Sequence, residues 1–311
     1  WDACASNVLW SLATPPTLSR CWGCLRAYQL GLVASSFDDG FFHLQQPSGE
    51  VFNIVPVVRT SLVVDDFCRP TQCPLRADFL LTPSPDGDEN LRKEGVAEER
   101  IKRVGNVMID SLFTNLERSK SSTIHADLGL EKGEYGVLTL HRPSNVDDKD
   151  AFAGILSALE QIGTRIPLVF PLHPRTKHRA AEFGLTHRLE AIPNIVLTGP
   201  AGYLDFVALM ADAKLVLTDS GGLQEETTAL GIPCLTLREN TERPITVTEG
   251  TNTIVGNDPQ VILDAAHNVL ENGGKAGRIP DLWDGKTAAR IADIIEAVSY
   301  THLTLPTILL V

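Results

Sequence analysis

The chain has 311 residues, of which 43% are apolar, and its formal net charge is −12 at pH 7. This length is sufficient for two domains, and the negative charge argues against a surface that binds nucleic acid or anionic membranes. Because there is no run of about 18 apolar residues and no basic-then-apolar start typical of a signal peptide, we expect no membrane span and a cytoplasmic protein.

The pattern of a folded domain is missing from the first 76 residues. Short strands are predicted at 51–58 and 61–64, but no segment has the apolar stripe and caps of a helix. Five of the six cysteines lie in the first 73 residues. Cys21 and Cys24 have the spacing of a metal or redox motif, but no second cysteine pair or histidine pair follows at zinc spacing, so we expect no metal site.

Regular elements begin at residue 77. We predict a strand at 77–82, a helix at 86–95 that Gly95 ends, a strand at 100–104 and a helix at 107–120. In the second helix, Met108, Leu112 and Leu116 are expected to share the buried face.

From residue 135 strands alternate regularly with helices. We predict strands at 137–140, 166–170, 195–198, 215–217 and 234–237, and helices at 151–162, 203–211, 223–230, 259–272 and 286–298. Asp258 and Pro259 start the fourth of these helices in the favoured order, and Gly273 ends it. The inward-facing residues are expected to be Phe152, Ile155, Leu156, Leu159, Ile262, Ala265, Ala266 and Val269. This alternation predicts a parallel sheet that is covered by helices on both faces.

Four of these strands are followed by polar groups. They are His-Arg at 141–142, His-Pro-Arg at 173–175, Asp-Ser-Gly-Gly at 219–222, and the arginine-containing segment 238–243. Because the carboxyl ends of parallel strands lie at the same edge of a sheet, where ligands bind in open α/β folds, we expect these groups to converge on one site.

The stretch LVLTDSGGLQEE at 215–226 indicates an anion-binding turn. It is a strand, a glycine turn and the start of a helix, whose first N–H groups are available to a phosphate that the glycines allow to approach. Ser220 is expected to cap the helix and to offer its hydroxyl to the same anion. An ordinary strand-to-helix turn is the alternative interpretation.

Several side chains around this turn suit a nucleotide diphosphate. His141 and His173 are able to donate to phosphate oxygens, and Arg243 to form a bidentate contact. Glu226 follows Ser220 by one to two helical turns, where a carboxylate reaches ribose hydroxyls. The alternatives are histidines in solvated loops and an acidic residue favoured by the helix dipole.

Two other assignments have equally ordinary alternatives. Phe206 is a candidate to stack on a base, although an aromatic residue at helical spacing is more often part of a core. Asp147 and Asp148 resemble a pair of catalytic carboxylates, but their place just before a helix favours capping.

Longer motifs resemble one known family. HRPSNVDD at 141–148, PLHPRT at 171–176, LTDSGGLQEE at 217–226 and GIPCLTLRENTERPITVTEGTNTIVG at 231–256 are similar, in this order, to the non-hydrolysing UDP-N-acetylglucosamine 2-epimerase family. The segments 77–96, 101–110 and 284–291 are also family-like, so the resemblance covers about residues 77–298.

This resemblance implies a fold and a reaction. The α/β fold would be glycosyltransferase-B-like, with two Rossmann-type doubly wound domains and no cofactor or metal. The reaction would invert C2 of UDP-GlcNAc to give UDP-ManNAc: UDP leaves as the C2 proton is lost, which yields a 2-acetamidoglucal, and then re-adds. The intact family member would be a homodimer that binds these UDP-sugars and neither nucleic acid nor membrane.

The resemblance also assigns roles residue by residue. His141 would be the catalytic residue, assisting the departure of UDP. The diphosphate would lie on Ser220, Gly221 and Gly222, the ribose on Glu226, and the uracil beside Phe206. The complete set of implied substrate-binding residues is Arg142, His173, Phe206, Ser220, Gly221, Gly222, Glu226 and Arg243.

The first 76 residues depart from the family pattern. The family's Gly-Thr-Arg-Pro-Glu, His-x-Glu-Ala-Gly-Leu-Arg and Pro-Glu-Glu-x-Asn-Arg segments, which supply its acid and base carboxylates, do not occur there. We therefore expect 1–76 to be a misread, out-of-frame segment and 77–130 the remnant of the N-terminal domain. Residues 131–298 would form the UDP-binding domain, and 299–311 a foreign tail.

Two other functions stay open. The chain as it stands is a candidate for an inactive UDP-sugar-binding remnant, because the carboxylate segments are missing from 1–76. A glycosyltransferase of the same fold is the other alternative. The pairing of TDSGGLQEE with TERP and the lack of a recognisable acceptor site argue against it.

Overall fold

The computed structural model describes residues 33–38, 41–45, 51–54 and 79–304, with side chains for 79–297. The chain divides into two compact units, one formed by 1–111 and 281–311 and the other by 112–280. The predicted domain division at 76, 130 and 298 stays a prediction. The predicted strand 61–64, the cysteines Cys21 and Cys24, and residues 305–311 of the predicted tail lie outside the described residues.

The first unit contains two small sheets. Strands β1 (Val33–Asp38), β2 (Phe41–Gln45) and β3 (Val51–Ile54) pair antiparallel in that order. Strands β4 (Leu80–Thr82) and β5 (Ile101–Arg103) pair in parallel, joined by helix α1 (Pro85–Lys93) and a 3₁₀ turn at Glu98–Arg100. Gly95 follows α1 in the left-handed conformation with φ +83°, which explains why the helix ends there, as predicted.

Helix α2 (Val107–Ser119) follows β5 with the predicted bounds to within one residue. Its buried face was wrongly predicted at one position, because Met108 is 45% exposed and the neighbouring Ile109 is fully buried instead. Leu112 is fully buried, as expected, and Leu116 is half-buried. Because Met108 and Ile109 are adjacent and both apolar, the sequence pattern allowed either one to lie on the buried face.

The C-terminal segment packs within the first unit. The Trp283 indole nitrogen donates to the Pro83 carbonyl oxygen at 3.0 Å, and Arg290 Nη1 donates to the Val104 carbonyl oxygen at 3.0 Å. The Asp110 carboxylate accepts the backbone N–H groups of Thr287 and Ala288 at the start of the last helix. That helix spans Thr287–Thr304, so the prediction that it ends at 298 is wrong.

None of the helices in the described part of the chain is long and apolar enough to cross a membrane.

The second unit is a three-layer α/β unit around one parallel sheet. The strands are β6 (Gly136–Thr139), β7 (Leu168–Pro171), β8 (Ile195–Thr198), β9 (Leu215–Thr218), β10 (Cys234–Thr236) and β11 (Asn252–Ile254). The helices are α3 (Ile124–Leu128), α4 (Pro143–Val146), α5 (Lys149–Ile162), α6 (Pro174–Glu182), α7 (Thr186–Glu190), α8 (Tyr203–Ala211), α9 (Gly221–Leu230), α10 (Pro244–Thr248) and α11 (Pro259–Asn272).

The order of the strands is the order of a Rossmann sheet. Across the sheet it runs β11-β10-β9-β6-β7-β8, and every neighbouring pair is parallel. Numbered from the unit's first strand, this is 3-2-1-4-5-6, the doubly wound arrangement that reverses direction between its first and fourth strands. The predicted parallel sheet is therefore confirmed.

Helices on both sides bury this sheet. Val137, Leu138, Val216 and Leu217 on the central strands are fully buried, as expected where a sheet is covered on two faces. The four residues predicted to face inward from α5 are all fully buried. Of the four predicted to face inward from α11, three are buried and Ala265 is partly buried. Asp258 caps α11 through the N–H groups of Gln260 and Val261, and Gly273 ends it with φ +80°, both as predicted.

The paired aspartates before α5 have separate structural tasks. Asp148 is the N-cap of α5 and accepts the N–H groups of Asp150 and Ala151 at 2.9 and 2.8 Å. The expectation that Asp147 also caps this helix is wrong, because its carboxylate instead binds the guanidinium groups of Arg175 and Arg179 on α6.

Replacing the capping residue should have a measurable effect on stability. We expect Asp148→Ala to lower the free energy of unfolding by about 1 kcal/mol, because two N–H groups of α5 lose their acceptor. Asp148→Asn should be close to neutral, since asparagine caps equally well. Urea unfolding followed by circular dichroism measures both, and equal losses in the two variants would contradict the capping role.

Candidate active site

The switch point of the second unit's sheet gathers most of the predicted site residues. Strands β6 and β9 are adjacent, with Thr139 opposite Thr218 at their carboxyl ends. The hydroxyls of these two threonines lie 2.6 Å apart. Residues 141–142 follow β6 and residues 219–222 follow β9, so they lie where a doubly wound sheet opens a crevice.

His141 is held by a buried carboxylate. Asp219 is fully buried, and its Oδ1 lies 2.9 Å from His141 Nδ1. Its Oδ2 accepts the backbone N–H groups of His141 and Arg142, each at 2.8 Å, and the Asn145 amide at 3.2 Å. Although burial raises the pKa of Asp219, the contacts from His141 and the two backbone N–H groups outweigh it and hold that pKa below its ordinary value.

The strand, glycine turn and helix start predicted at 215–226 are present as β9, Ser220 and the first turn of α9. Ser220 is the N-cap residue, but among the described contacts its hydroxyl makes no capping hydrogen bond, so the predicted side-chain cap is corrected. A Cβ atom on Gly221 would lie 3.6 Å from Glu242 Oε1, and one on Gly222 would meet no atom within 4 Å. The first turn of α9 therefore has no side-chain acceptor from its N-cap residue for its N–H groups.

A carboxylate of the chain itself lies above this turn. Glu242 Oε2 accepts from Arg238 Nη1 at 2.6 Å, and its Oε1 lies 3.5 Å from Arg142 Nη2. The Arg142 Nε atom is buried and has no hydrogen-bond partner among the described residues. The two guanidinium groups, which are of the type that binds phosphate, therefore already contact an anionic group of the chain itself.

Arg243 is anchored deeper in the unit. Its Nε lies 2.9 Å from Glu225 Oε1, and both side chains are at least 90% buried. Burial lowers the pKa of Arg243 to about 10, so the guanidinium remains charged at neutral pH. Gln224 connects the start of α9 with the segment 238–243: its amide nitrogen donates to the Ser220 carbonyl oxygen, and its amide oxygen accepts from the Thr241 hydroxyl.

His173 lies beside His141. The two ring centroids are 5.3 Å apart. His173 is the N-cap of α6, and its Nδ1 accepts the Arg175 backbone N–H at 3.1 Å. The predicted convergence of the strand ends after β6 and β7 is thus present in the structure.

Glu226 and Phe206 lie further along the crevice elements. Glu226 on α9 is 6% exposed, and Tyr203 on α8 donates its hydroxyl to Glu226 Oε1 at 3.1 Å. Burial raises the pKa of Glu226 to about 7, and the hydrogen bond from Tyr203 opposes this only in part. Phe206 is half-buried and lies on the same helix, one turn after Tyr203. Its connection to the site is therefore through Tyr203, which contacts Glu226.

Comparison with known proteins decides the family. A sequence model described as UDP-N-acetylglucosamine 2-epimerase matches residues 61–296. The chain belongs to the UDP-N-acetylglucosamine 2-epimerase family. The match begins at 61, sixteen residues before the stretch in which the motifs are readable.

Individual relatives agree with this family. A UDP-N-acetylglucosamine 2-epimerase of Methanococcus maripaludis is 37% identical over 63% of this chain and 55% of its own length. A UDP-2,3-diacetamido-2,3-dideoxy-D-glucuronate 2-epimerase of Pseudomonas aeruginosa is 36% identical over 62% of this chain and 53% of its own length.

A solved relative supports the fold. The crystal structure of the Methanocaldococcus jannaschii UDP-GlcNAc 2-epimerase in complex with UDP-GlcNAc and UDP is 36% identical, with a TM-score of 0.65 over 72% of this chain and 62% of that one. The predicted α/β, glycosyltransferase-B-like fold class is confirmed. The chain spans between about half and two thirds of the lengths of the relatives it matches.

Family membership leaves the individual roles of the site residues as predictions, and the structure adds residues that sequence reasoning missed. Asp219 was noted only as part of a polar strand end, and Tyr203, Gln224 and Glu242 were not singled out. A signal existed for Tyr203, which lies one helical turn before Phe206. The partners of Asp219 and Glu242 are distant in sequence, so no local pattern indicated them.

Proposed function

We propose that the protein catalyses the reversible epimerisation at C2 of UDP-N-acetylglucosamine and UDP-N-acetylmannosamine, by elimination and re-addition of UDP. The observation that carries this proposal is the set of groups at the switch point that are suited to a diphosphate. The open start of α9, His141, and the guanidinium groups of Arg142 and Arg243 come from three neighbouring strand ends.

The chemistry of the reaction suits these groups. UDP is the leaving group, so negative charge develops on its phosphate oxygens as the bond to the sugar C1 breaks. Donors that strengthen as this charge develops lower the barrier, and donors that are fixed in advance need no reorganisation. In this proposal, the N–H groups after Ser220 and the Arg243 guanidinium bind the diphosphate, while His141 assists its departure as an electrostatic or acid catalyst.

The remaining residues would determine which nucleotide binds. Glu226 would accept the ribose hydroxyls and Phe206 would contact the uracil, with Arg142 and His173 near the phosphates and the sugar. The relatives' names include two different UDP-sugars, both epimerised at C2. The uridine diphosphate half of the substrate is therefore the more general part of the proposal, and UDP-GlcNAc is its specific part.

A second function is favoured by a specific observation. The family segments that supply acid and base carboxylates do not occur in residues 1–76. We therefore propose, as the alternative, a protein that binds UDP-sugars without turnover. A homodimer, which rests on the family resemblance, and a cytoplasmic location, which rests on the sequence pattern, belong to the main proposal.

A pair of assays separates the two functions. Incubation with UDP-GlcNAc in D₂O should yield UDP-ManNAc, with deuterium at C2, if the chain is an epimerase, because the C2 proton is lost and regained. Calorimetric titration with UDP should show binding in either case. Binding without epimerisation of either UDP-sugar supports the alternative, and absence of both overturns the proposal.

The same titration tests the anion-binding turn. Ser220→Ala should weaken UDP binding about tenfold, because a hydroxyl donor to a charged phosphate is lost. Ser121→Ala, at an exposed serine outside the crevice, is the matched control and should bind UDP as the unchanged protein does. An unchanged affinity in Ser220→Ala would remove Ser220 from the site.

A further inference from the structure

We infer that Asp219 is a positioning residue that fixes the ring orientation and the tautomer of His141, so that Nδ1 carries a proton and Nε2 is the atom offered to the ligand. This inference deepens the proposed function and rests on it for the identity of the ligand, a nucleoside diphosphate. Its geometric basis is independent of that identity.

The first step concerns the orientation of the ring. Asp219 Oδ2 accepts the backbone N–H of His141 itself, while Oδ1 lies 2.9 Å from Nδ1 of the same residue. One carboxylate thus holds both ends of the residue, its main chain and its ring. Because Asp219 is fully buried at the end of a central strand, it is a rigid support.

The second step concerns the proton. An ionised carboxylate only accepts hydrogen bonds, and the pKa of Asp219 is held below its ordinary value, so this group is ionised at neutral pH. Asp219 Oδ1 is buried and accepts no hydrogen bond of full geometry among the described residues, so a proton on His141 Nδ1, 2.9 Å away, is the one placed to satisfy it. This places the lone pair of the neutral ring on Nε2. The side chain is 31% exposed, and because Nδ1 faces the buried Asp219, we infer that Nε2 is on the exposed edge of the ring.

His173 provides an internal contrast. Its Nδ1 accepts the Arg175 backbone N–H at 3.1 Å, so the lone pair of its neutral ring is on Nδ1 and its proton is on Nε2. Two neighbouring rings, 5.3 Å apart, therefore carry opposite tautomers. The neutral His141 ring is a proton acceptor at Nε2. With a proton taken up there from the phosphate or from solvent, the ring would donate from Nε2 to a phosphate oxygen while Nδ1 faces Asp219.

The structure dictates what an isosteric substitution does. In Asp219→Asn the amide oxygen must occupy the place of Oδ2, because three N–H donors converge on that position. The amide nitrogen, a donor only, then faces His141 Nδ1. The neutral ring has to accept at Nδ1 and carry its proton on Nε2. In an imidazolium, the Nδ1–H group would face the amide N–H of the asparagine, and two donors cannot form a hydrogen bond with each other. The backbone contacts of the loop are retained.

The experiment is ¹⁵N NMR of the full chain labelled at histidine, in which the two ring nitrogens report the tautomer directly. His141→Gln assigns the His141 signals. At a pH where the ring is neutral, we expect the Nδ1–H tautomer in the unchanged protein and the Nε2–H tautomer in Asp219→Asn. Asp148→Asn, the same change at the cap of α5, is the matched control and should leave the His141 signals unmoved.

Addition of UDP gives the second measurement. The affinity of Asp219→Asn for UDP should be about tenfold lower than that of the unchanged protein, because the His141 ring is no longer held with its proton on Nδ1. A merely structural role would weaken binding without moving the tautomer.

The outcomes separate this inference from the proposed function. An Nε2–H tautomer in the unchanged protein overturns the inference, and this measurement needs only His141→Gln for assignment, so it decides even if Asp219→Asn does not fold. The same tautomer in both proteins also overturns it. The Nδ1–H tautomer without any binding of UDP supports the role of Asp219 and overturns the proposed function instead.

Discussion

Replacing His141 by alanine should lower the turnover of UDP-GlcNAc by a factor on the order of 10² to 10⁴, with a smaller change in KM. The residue would act on charge that develops as the diphosphate leaves, so its loss is felt mainly in the transition state. Such a factor corresponds to about 3–5 kcal/mol of transition-state stabilisation. The rate of formation of UDP-ManNAc measures it.

This measurement needs a protein that catalyses the reaction. If the chain as it stands binds UDP without epimerising UDP-GlcNAc, the assay should use a variant in which the family's N-terminal segments replace residues 1–76. His178→Ala is the matched control, since His178 lies on α6 with a side chain that is 78% exposed. Equal rates in His141→Ala and in the unchanged protein would remove His141 from the mechanism.

Long periodic elements were predictable because their signals are local. Helix α8 and strand β8 have the predicted bounds, and α11 begins and ends at its cap residues. In each case the apolar period, a cap or a proline is readable within one segment. The parallel sheet followed from their alternation.

Short elements were missed because they have no period of their own. Helices α4, α6 and α10 span 4, 9 and 5 residues, and each begins with a proline in a stretch for which we predicted no helix or strand. Proline at the first helical position is itself a helix-start signal, but too few apolar residues follow to form a stripe. Strand β11 has only three residues, of which one is apolar.

The site was predictable as a meeting of strand ends but not as a set of contacts. That polar groups after parallel strands share an edge follows from topology, and it correctly placed His141 near Ser220. The specific pair His141 and Asp219 is separated by 78 residues, so only the register between β6 and β9 brings it together. The unused capping hydroxyl of Ser220 likewise depends on geometry that residue type does not fix.

Glu226→Gln should make the protein more stable at pH 8 while weakening its binding of UDP. Burial raises the pKa of Glu226 from 4.5 to about 7, opposed in part by the hydrogen bond from Tyr203. Below pH 4.5 the carboxyl is protonated in both the folded and the unfolded state and has no effect on the pH dependence. As the pH rises towards 7 the unfolded state loses this proton first, so the free energy of unfolding falls across this window.

Above about pH 7 the full cost of ionising the buried carboxyl is present. The difference between the two pKa values corresponds to about 3 kcal/mol. A neutral glutamine keeps an acceptor for Tyr203 and avoids this cost, so the variant should gain about 2–3 kcal/mol at pH 8 relative to the unchanged protein, and much less at pH 5. Urea unfolding at the two pH values measures the difference.

The affinity for UDP should change in the opposite direction. If an ionised Glu226 accepts the ribose hydroxyls, loss of its charge weakens two hydrogen bonds, and we expect about tenfold weaker binding at pH 8. Glu190→Gln, at an exposed position on α7, is the matched control and should alter neither quantity appreciably.

The two results together discriminate between a core residue and a ligand-binding one. A variant that is more stable but binds UDP as before would mean that Glu226 is a structural liability without a role in the site. A variant that loses affinity without gaining stability would mean that the carboxyl is not ionised at a cost. Only the combination of higher stability and lower affinity indicates that the fold retains a buried acid at position 226 because the ribose contact compensates for its cost.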